Sequence, residues 1–498
     1  MTGPLSAQDA NGAPAAAAPA AGRTHAGSLG WTVFRTTAAQ IIGRNLIALG
    51  RLGLASLVVR RFGKETFGEY SLILVLLAIA EWLLDFGTND VTVRELCQKP
   101  GEESRLLRVF TAVKAVQIPA AFAALAVLVF ALRYPAHIIE AALIGGTSLA
   151  LFGAILCYRV VFRVTLHLEY ELLAEVLSVA GMVLMVLEVA RRGGGLAAIF
   201  GCYVLSRGIF LTVAFLLGRR HYHPSVQGVR WSDITDSLNS SWAIGLIGLL
   251  VVSYETMDML LLSRFANISE VASYSGAQRF ILPVLTSLTA VGSTLYPIVS
   301  SYWPHSKEHF EEACQRGLDA VVALAGLAVC LLLAGSEFLV SLLSSSMASS
   351  VPVLQVLAVV CFAKAVSTTV GPVLYAVHKE KPALRFVGVA LVIKAAMIAV
   401  LAPRYGSMGA AFGTLTADTC FAVVSVWMAQ HFTGYSIRWG VPARLMLISL
   451  GAAGAPRLLS LHGIPAMAIA LPLYGALALA SGAVRASELR ALLKGKKA

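Results

Sequence analysis

The sequence predicts an all-α integral membrane protein, and its composition is the first evidence. Of 498 residues, 57% are hydrophobic and only 13% are charged, with a mean hydropathy of +0.76. A soluble globular chain is about half apolar and about a quarter charged. The apolar residues also recur in stretches of roughly 20, the length a helix needs to cross a bilayer core. Hydrocarbon cannot satisfy backbone polar groups, so these stretches are predicted to be helices.

About fourteen apolar spans can be marked along the chain. The first seven cover residues 33–59, 70–86, 109–132, 138–158, 172–190, 196–218 and 242–263. The second seven cover residues 274–299, 318–343, 352–377, 384–402, 407–429, 442–461 and 464–484. The loops between them are short, so no soluble domain is large enough to hold a separate active site.

An internal repeat divides these spans into two lobes. Residues 61–71 and 264–275 both begin with Arg-Phe, continue through a polar turn and end with Tyr-Ser at the start of the next helix. Residues 192–201 and 404–413 form a second matching pair. Two matches in the same order indicate a duplication of six spans. An even number of spans preserves orientation, which predicts two parallel lobes around a central cavity that can open to either side.

The repeat leads to a predicted domain organisation, with two extra C-terminal helices outside the lobes. The first 32 residues lack the continuous apolar core of a signal peptide and are predicted to be disordered. The predicted segments are a cytoplasmic Ala/Pro-rich tail (1–32), an N-lobe (33–219), a cytoplasmic inter-lobe loop (220–241), a C-lobe (242–430), two additional spans (431–485) and a basic cytoplasmic tail (486–498).

The orientation follows from the basic residues. With a cytoplasmic amino terminus, cytoplasmic segments would carry about 23 Lys and Arg residues and the opposite loops about 9. Both termini are therefore predicted to be cytoplasmic. The net charge of +12 partly reflects this excess of basic residues in cytoplasmic segments, so nucleic-acid binding is not needed to explain it. The seven cysteines form no C-x-x-C pair, so neither a disulfide framework nor a metal site is predicted.

Several short motifs resemble the Wzx-type oligosaccharide flippases of the superfamily that also contains MATE transporters. In order along the chain they are Phe62-Gly63, Phe67-Gly68-Glu69-Tyr70, Asp85-Phe86-Gly87-Thr88-Asn89, Val93-Arg94-Glu95, Asp258 with Leu260-Leu261-Leu262-Ser263, Tyr274-Ser275-Gly276-Ala277, Tyr296-Pro297, Pro352-Val353-Leu354-Gln355, and Pro403-Arg404-Tyr405-Gly406 with Gly409-Ala410-Ala411. The resemblance covers about residues 33 to 485. Val271-Ala272-Ser273 departs from it, because the family usually has a glycine before the tyrosine.

The resemblance implies a function. The protein would flip an undecaprenyl-diphosphate-linked oligosaccharide from the cytoplasmic to the periplasmic leaflet of the bacterial inner membrane, for exopolysaccharide, O-antigen or capsule synthesis. It implies alternating access coupled to a proton or sodium ion, with no other cofactor. Partners would be the lipid-linked sugar, the bilayer, and the polymerase and glycosyltransferases of the same pathway. The sugar itself cannot be read from these motifs.

Basic residues within the spans are candidates for binding the diphosphate, because guanidinium groups bind phosphate oxygens bidentately. They are Arg44, Arg51, Lys114, Arg207, Arg279, Lys364 and Lys394, with Gln40 on the same helical face as Arg44 and Arg51. The alternative is structural: Arg207 and Asp418 would form an inter-lobe ion pair, and Lys114 or Arg279 would extend to an interface.

Acidic residues within the spans are candidates for ion coupling, since a desolvated carboxylate can titrate near neutral pH. They are Glu81, Asp85, Glu255, Asp258 and Asp418. Glu81 with Asp85, and Glu255 with Asp258, each share one helical face. Ion pairing or helix capping is the alternative role. It suits Asp85 best, whereas Asp258 is the strongest coupling candidate.

Three other functions remain open. A MATE-type small-molecule antiporter would share the fold, but a cationic drug would favour an acidic cavity. A membrane polysaccharide polymerase or ligase usually has a large external catalytic loop, and the loops here are short. A non-transporting scaffold of a synthesis complex would be indicated by an unchanged polymer yield in a deletion strain.

The charge distribution makes the topology testable. Reporter fusions placed after residue 30 and after residue 490 should both read as cytoplasmic, because basic loops are retained on that side. An external signal at either position would contradict the topology and the parallel six-span repeat with it.

Overall fold

A computed structural model describes residue 43 and residues 46–99, 101–165, 167–219, 225–303, 305–377 and 380–483. Throughout these ranges the regular structure is helical and no strand is present. The predicted all-α class is confirmed. Gln40 and Arg44 lie outside the described residues, so their predicted role in substrate binding stays a prediction.

Eight helices form the first lobe. Helix α1 covers residues 46–62 and is followed by α2 Lys64–Asp85, α3 Thr88–Gln98, α4 Glu103–Ala131, α5 Ala136–Gly146, α6 Ser148–Val164, α7 Leu168–Arg191 and α8 Leu196–Gly218. Helix α2 packs on α4 and on both α9 and α10 of the other lobe. It is therefore the main contact between the two halves.

The second lobe begins at α9, and two further helices follow it. The elements are α9 Trp231–Phe265, α10 Ile268–Tyr302, α11 Lys307–Ala334, the short α12 Ser336–Leu343, α13 Ser350–Ala376, α14 Glu380–Thr433, α15 Gly440–Leu458 and α16 Ile464–Ala480. Helices α15 and α16 pack against α11 on the outside of the lobe. The C-terminal pair is thus an addition to the repeat.

The helices account for fourteen membrane crossings. Ten segments are long and apolar enough to cross a membrane, counting α2 with α3 and α5 with α6 as single crossings. One of the ten covers 48 residues of α14, and a non-helical Gly406 (φ 55°) divides it into two crossings. Helices α1, α15 and the shorter α16 complete the set. The predicted helix count and the two lobes with two added helices are confirmed.

The start of α9 differs from the predicted inter-lobe loop. Residues 220–241 were predicted to be a loop, yet the helix already begins at Trp231. The side chain of Asp233 explains the early start, because it accepts the backbone N–H of Arg230 at 3.0 Å and caps the helix. Asp233 also pairs with Arg105 of the first lobe at 3.0 Å. The boundary of the predicted loop rests on hydropathy alone. It misses the first turns of α9, because polar capping extends the helix beyond the apolar span.

The two lobes meet at matching positions of the repeat. Ser71 of α2 and Ser275 of α10 occupy the same place after the Arg-Phe turn in their respective halves. The Ser275 hydroxyl donates to the Ser71 hydroxyl at 2.7 Å, and both residues are buried. A contact between equivalent residues of two repeats indicates that a two-fold axis relates the repeats. The axis between the lobes therefore passes close to this serine pair.

A second inter-lobe contact lies at the end of α1. The Arg60 guanidinium donates to the backbone oxygens of Leu342 and Leu343 at 3.0 and 2.9 Å, at the carboxyl end of α12. Lys64 Nζ donates to Ser349 Oγ at 2.8 Å. The Arg60 bonds satisfy carbonyls that have no partner within α12. They hold the lobes together at this end of the bundle.

Close approach of α2 and α10 makes Gly68 sensitive to substitution. A Cβ at Gly68 would collide with the backbone oxygen of Ile268 and lie 3.3 Å from Ala272 Cβ. We expect Gly68→Ala to destabilise the protein by about 1–3 kcal/mol through overpacking. Gly201→Ala is the matched control, because no atom lies within 4 Å of the added carbon. Thermal unfolding in detergent should separate the two, and equal midpoints would contradict the close packing of the lobes.

Candidate functional site

A charged cavity of about 290 Å³ lies within the first lobe. Helices α1, α2, α6, α7 and α8 form its walls, and one residue comes from α10 of the other lobe. Its lining contains four arginines and two glutamates: Arg51, Arg159, Arg207, Arg279, Glu81 and Glu175. Because the cavity lining contains more guanidinium groups than carboxylates, it favours an anionic ligand.

Arg51 reaches this cavity from α1. Its Nη2 lies 2.6 Å from Oε1 of Glu175 on α7. The two helices are held close together because Gly50 has no side chain, and a Cβ there would collide with Val179. The Arg51 side chain is still 57% exposed, so much of the guanidinium faces open space.

Arg207 is held much more firmly. Its Nη2 contacts Glu81 Oε1 at 2.5 Å and donates to the Tyr203 hydroxyl at 2.7 Å. The same hydroxyl donates to Glu81 at 2.9 Å, which closes a three-membered network. The Arg207 guanidinium also lies 5.0 Å from the centre of the Phe152 ring. Arg207 was predicted to bind substrate, and it does line the cavity, where its Nη2 is already engaged by Glu81 and Tyr203.

Arg159 is a cavity residue that the sequence interpretation missed. The predicted span ended at residue 158, whereas α6 continues to Val164 and carries this arginine within the bundle. Its Nε lies 3.0 Å from Glu171, and its guanidinium lies 5.3 Å from the centre of the Phe210 ring. Helix continuation into the basic segment was the signal that could have found it. Glu175 was also overlooked, although it lies within the span 172–190.

Arg279 connects the two lobes. It comes from α10, lines the first-lobe cavity and also lines a second cavity of about 230 Å³ between α2, α9 and α10. It is partly buried and forms no hydrogen bond or ion pair with any other residue that the structure describes. An unpaired guanidinium inside a membrane domain is costly, which makes Arg279 the most available cation of the site.

A separate charged cluster lies inside the second lobe. Lys364 Nζ contacts Glu255 at 2.8 Å and Asp418 at 3.3 Å. The Tyr254 hydroxyl donates to the same Asp418 oxygen at 2.7 Å. Glu255 is 44% exposed and lines the inter-lobe cavity, whereas Asp418 is only 2% exposed. The cluster thus extends from the cavity into the interior of the lobe.

Lys394 forms the deeper part of this cluster. Its ammonium lies 2.6 Å from Asp258 Oδ1 and donates to the backbone oxygen of Tyr254 at 2.7 Å. The other oxygen of Asp258 accepts the Tyr274 hydroxyl at 2.6 Å. Lys394 and Asp258 are 2% and 4% exposed. Tyr274 directly precedes Ser275 on the inter-lobe axis, so the cluster is next to the contact between the lobes.

The charges of this cluster do not balance. Three carboxylates (Glu255, Asp258, Asp418) face two ammonium groups (Lys364, Lys394). Oδ2 of Asp418 is buried and accepts no hydrogen bond from the described residues. A buried, unpaired carboxylate oxygen is costly, and binding one proton or cation would remove the excess charge.

Lys114 and Asp85 lie away from both cavities. Lys114 is 2% exposed, and its ammonium donates to Thr88 Oγ1 at 2.6 Å and to the Leu84 carbonyl at 3.0 Å, and lies 3.4 Å from Asp85. These contacts hold the break between α2 and α3, where Phe86 and Gly87 both have positive φ. The geometry therefore favours the ion-pairing alternative for Asp85, whereas the buried Lys114 does not extend to an interface as its own alternative role required.

Several predicted relations between the charged residues are now resolved. Arg207 pairs with Glu81 of its own lobe, and Asp418 pairs with Lys364, so the inter-lobe pair of Arg207 with Asp418 does not form. Apart from the Lys114–Asp85 pair, the described candidates divide into a basic first-lobe cavity and a net acidic second-lobe cluster.

The fold is that of a multi-pass membrane protein with two lobes, one holding a basic cavity and the other a charged cluster. The sequence model of the polysaccharide biosynthesis protein family matches residues 33–303, and that of the MatE family matches residues 243–400. The chain therefore belongs to the polysaccharide biosynthesis protein family. No curated protein matches it by sequence.

Solved structures share this architecture. The lipid II flippase MurJ in an inward closed conformation superposes with a TM-score of 0.72 at 13% identity, over 89% of this chain and 97% of that one. An inward-facing MATE multidrug resistance transporter superposes with a TM-score of 0.66 at 13% identity, over 78% of this chain and 94% of that one. A third structure is a MOP superfamily transporter from Pyrococcus furiosus, described as having a binding pocket of reverse polarity. It superposes with a TM-score of 0.58 at 14% identity, over 81% of this chain and 95% of that one. These structural similarities show that the chain shares the fold of these transporters.

The buried ion pair of the second lobe should dominate local stability. Lys394→Met would leave the Asp258 carboxylate unpaired in the interior, which costs about 3–5 kcal/mol. The double variant Lys394→Met/Asp258→Asn should recover much of this loss, because no uncompensated charge remains. Thermal unfolding in detergent checks both. Equal destabilisation of the single and double variants would show that the two residues do not form a coupled pair.

Proposed function

We propose that the protein flips an undecaprenyl-diphosphate-linked oligosaccharide from the cytoplasmic to the periplasmic leaflet of a bacterial inner membrane. The family supports a role in polysaccharide biosynthesis, and the fold is that of lipid and drug transporters. The observation that carries the proposal is the basic cavity, where four arginines face two glutamates. A diphosphate cannot cross hydrocarbon unaided, and arginine binds its oxygens in bidentate geometry.

The cavity offers the diphosphate two accessible cations. Arg279 forms no ion pair with the described residues, and Arg51 is more than half exposed despite its contact with Glu175. One belongs to α10 and the other to α1, so a bound diphosphate would touch both lobes. Substrate binding would then bias the relative position of the lobes, as alternating access requires.

A small-molecule antiporter on the same fold is the alternative, and the MatE match to the second half supports it. Its usual cationic substrate would be repelled by the arginines of the first-lobe cavity. The acidic second-lobe cluster is mostly filled by its own lysines. Binding of a lipophilic cation with no binding of lipid diphosphate would favour this alternative. Family and fold are those of transporters, so we assign no catalytic residue to the chain.

Arg51 and Arg279 should each contribute to binding of the carrier lipid. A charge-assisted hydrogen bond contributes roughly 1.5–3 kcal/mol, so Arg51→Ala and Arg279→Ala should each weaken undecaprenyl diphosphate binding by about one to two orders of magnitude. Lysine at either position should retain part of the affinity as a point charge. The measurement is equilibrium binding to purified protein with an unchanged melting temperature.

Arg163→Ala is the matched control for these variants. Arg163 lies on α6 outside the cavity and pairs with Asp90 at 3.4 Å on the surface. Its removal should leave affinity unchanged. Wild-type affinity in both Arg51→Ala and Arg279→Ala would place the substrate site elsewhere.

Transport is further proposed to be coupled to a proton or sodium ion through the second-lobe cluster. The excess carboxylate provides the place for such an ion, and Glu255 provides access from the inter-lobe cavity. Tyr274 links Asp258 to the helix that carries both Ser275 and Arg279. Neutralising the cluster would therefore alter the packing of the helix that contacts the first lobe.

Removing a carboxylate should uncouple transport without abolishing binding. In vesicles, Asp258→Asn and Glu255→Gln should still bind the lipid diphosphate but lose the dependence of its translocation on a pH or sodium gradient. Asp90→Asn is the control, because Asp90 is 61% exposed and far from the cluster in the chain. A full gradient response in both cluster variants would show that these carboxylates are structural.

A further inference from the structure

The ion pair of Arg51 with Glu175 differs from the other pairs of the first-lobe cavity in its accessibility. The Arg51 and Glu175 side chains are 57% and 26% exposed, whereas those of Arg207 and Glu81 are 18% and 19%. Tyr203 also ties Arg207 to Glu81, and among the residues that the structure describes no equivalent third residue joins Arg51 to Glu175. A ligand that enters the cavity can therefore separate this pair most easily.

The guanidinium of Arg51 already has a partner within the protein. Its Nη2 donates to Glu175 Oε1 at 2.6 Å. A carboxylate and a phosphate use the same planar donors of arginine, so an anionic ligand must compete with Glu175 for Arg51. Glu175 lowers the net positive charge of the cavity and thereby weakens its attraction for any anion.

We propose that Glu175 is a resident counter-anion, which neutralises Arg51 in the empty cavity and is displaced by phosphate oxygens of the lipid headgroup. This inference rests on the proposed function. When the headgroup leaves, the Glu175 carboxylate takes back the guanidinium, which lowers the affinity and speeds release. Glu175 therefore limits substrate affinity and promotes turnover, although it does not itself attract the substrate.

Displacement of Glu175 need not disturb the helices. Helices α1 and α7 are also held by apolar packing, with Gly50 against Val179, and Gly43, which precedes α1, packs against Leu172 of α7. The two glycines are spaced like the two residues that they contact, so both contacts lie along one side of α7. An exposed ion pair adds little to such packing. The alternative is that Glu175 serves only to fasten α1, and this predicts a different outcome on substitution.

Glu175→Gln separates the two roles. Glutamine keeps the size of the side chain and an oxygen that accepts a hydrogen bond from Arg51, but it removes the competing charge. We expect undecaprenyl diphosphate to bind the purified variant about two- to tenfold more tightly than the wild type. Translocation in vesicles should show a lower KM together with a lower kcat, because release becomes slower. If Glu175 serves only to hold α1 against α7, the variant should bind undecaprenyl diphosphate with unchanged or lower affinity.

Two controls identify the cause of any tightening. Glu188 lies on the same helix but pairs with Arg192 on the surface at 2.8 Å, so Glu188→Gln removes the same charge outside the cavity and should leave affinity unchanged. In an Arg51→Ala background, Glu175→Gln should no longer tighten binding. If Glu175→Gln lowers the melting temperature, Glu175→Ala is compared in the same way.

The possible failures are distinguishable. If the folded wild type binds no undecaprenyl diphosphate, the proposed function fails and this inference with it. If the wild type binds but Glu175→Gln binds no more tightly, only the counter-anion role is overturned. Equal tightening by Glu188→Gln, or tightening that persists without Arg51, would also overturn it, because the effect would then not act through the pair.

Discussion

The structure depends on one constraint: a charged side chain inside a membrane domain must find a partner or face a cavity. Lys114 and Lys394 satisfy it with partners, since both are 2% exposed and surrounded by oxygen acceptors. Arg279 satisfies it by facing open space, and Arg51 both faces the cavity and pairs with Glu175. The same requirement therefore separates the cations that hold the helices from the cations that are available to a substrate.

The two lobes use this constraint differently, although they descend from one repeat. The first lobe keeps an open basic cavity, and the second fills its interior with lysines, carboxylates and tyrosines. Helix α10 joins the two sites, because it carries Arg279 toward the cavity, Tyr274 toward Asp258, and Ser275 onto the axis. A movement of this helix would affect substrate and coupling ion together. Under the proposed function, the chemical asymmetry of the lobes would place substrate binding and ion coupling in different halves.

Hydropathy and the repeat were enough to predict the helices, because membrane crossing fixes both length and composition. The break at Gly406 and the turn after Phe62 both lie where the repeated motifs placed them. Pairing could not be predicted, since helical spacing shows which face a residue lies on but not which helix covers it. Glu81 and Asp85 share a face, yet they pair with Arg207 and Lys114 on different helices. Arg159 was missed because hydropathy falls before the helix ends.

The most direct test of the proposed function is a structure of the protein with bound undecaprenyl diphosphate, determined in a lipid environment. We expect density for the two phosphates in the first-lobe cavity, within hydrogen-bonding distance of Arg51 and Arg279, with Lys364 and Lys394 still paired to their carboxylates. Phosphate density in the second lobe in contact with either lysine, or an empty first-lobe cavity beside a bound lipid, would contradict it.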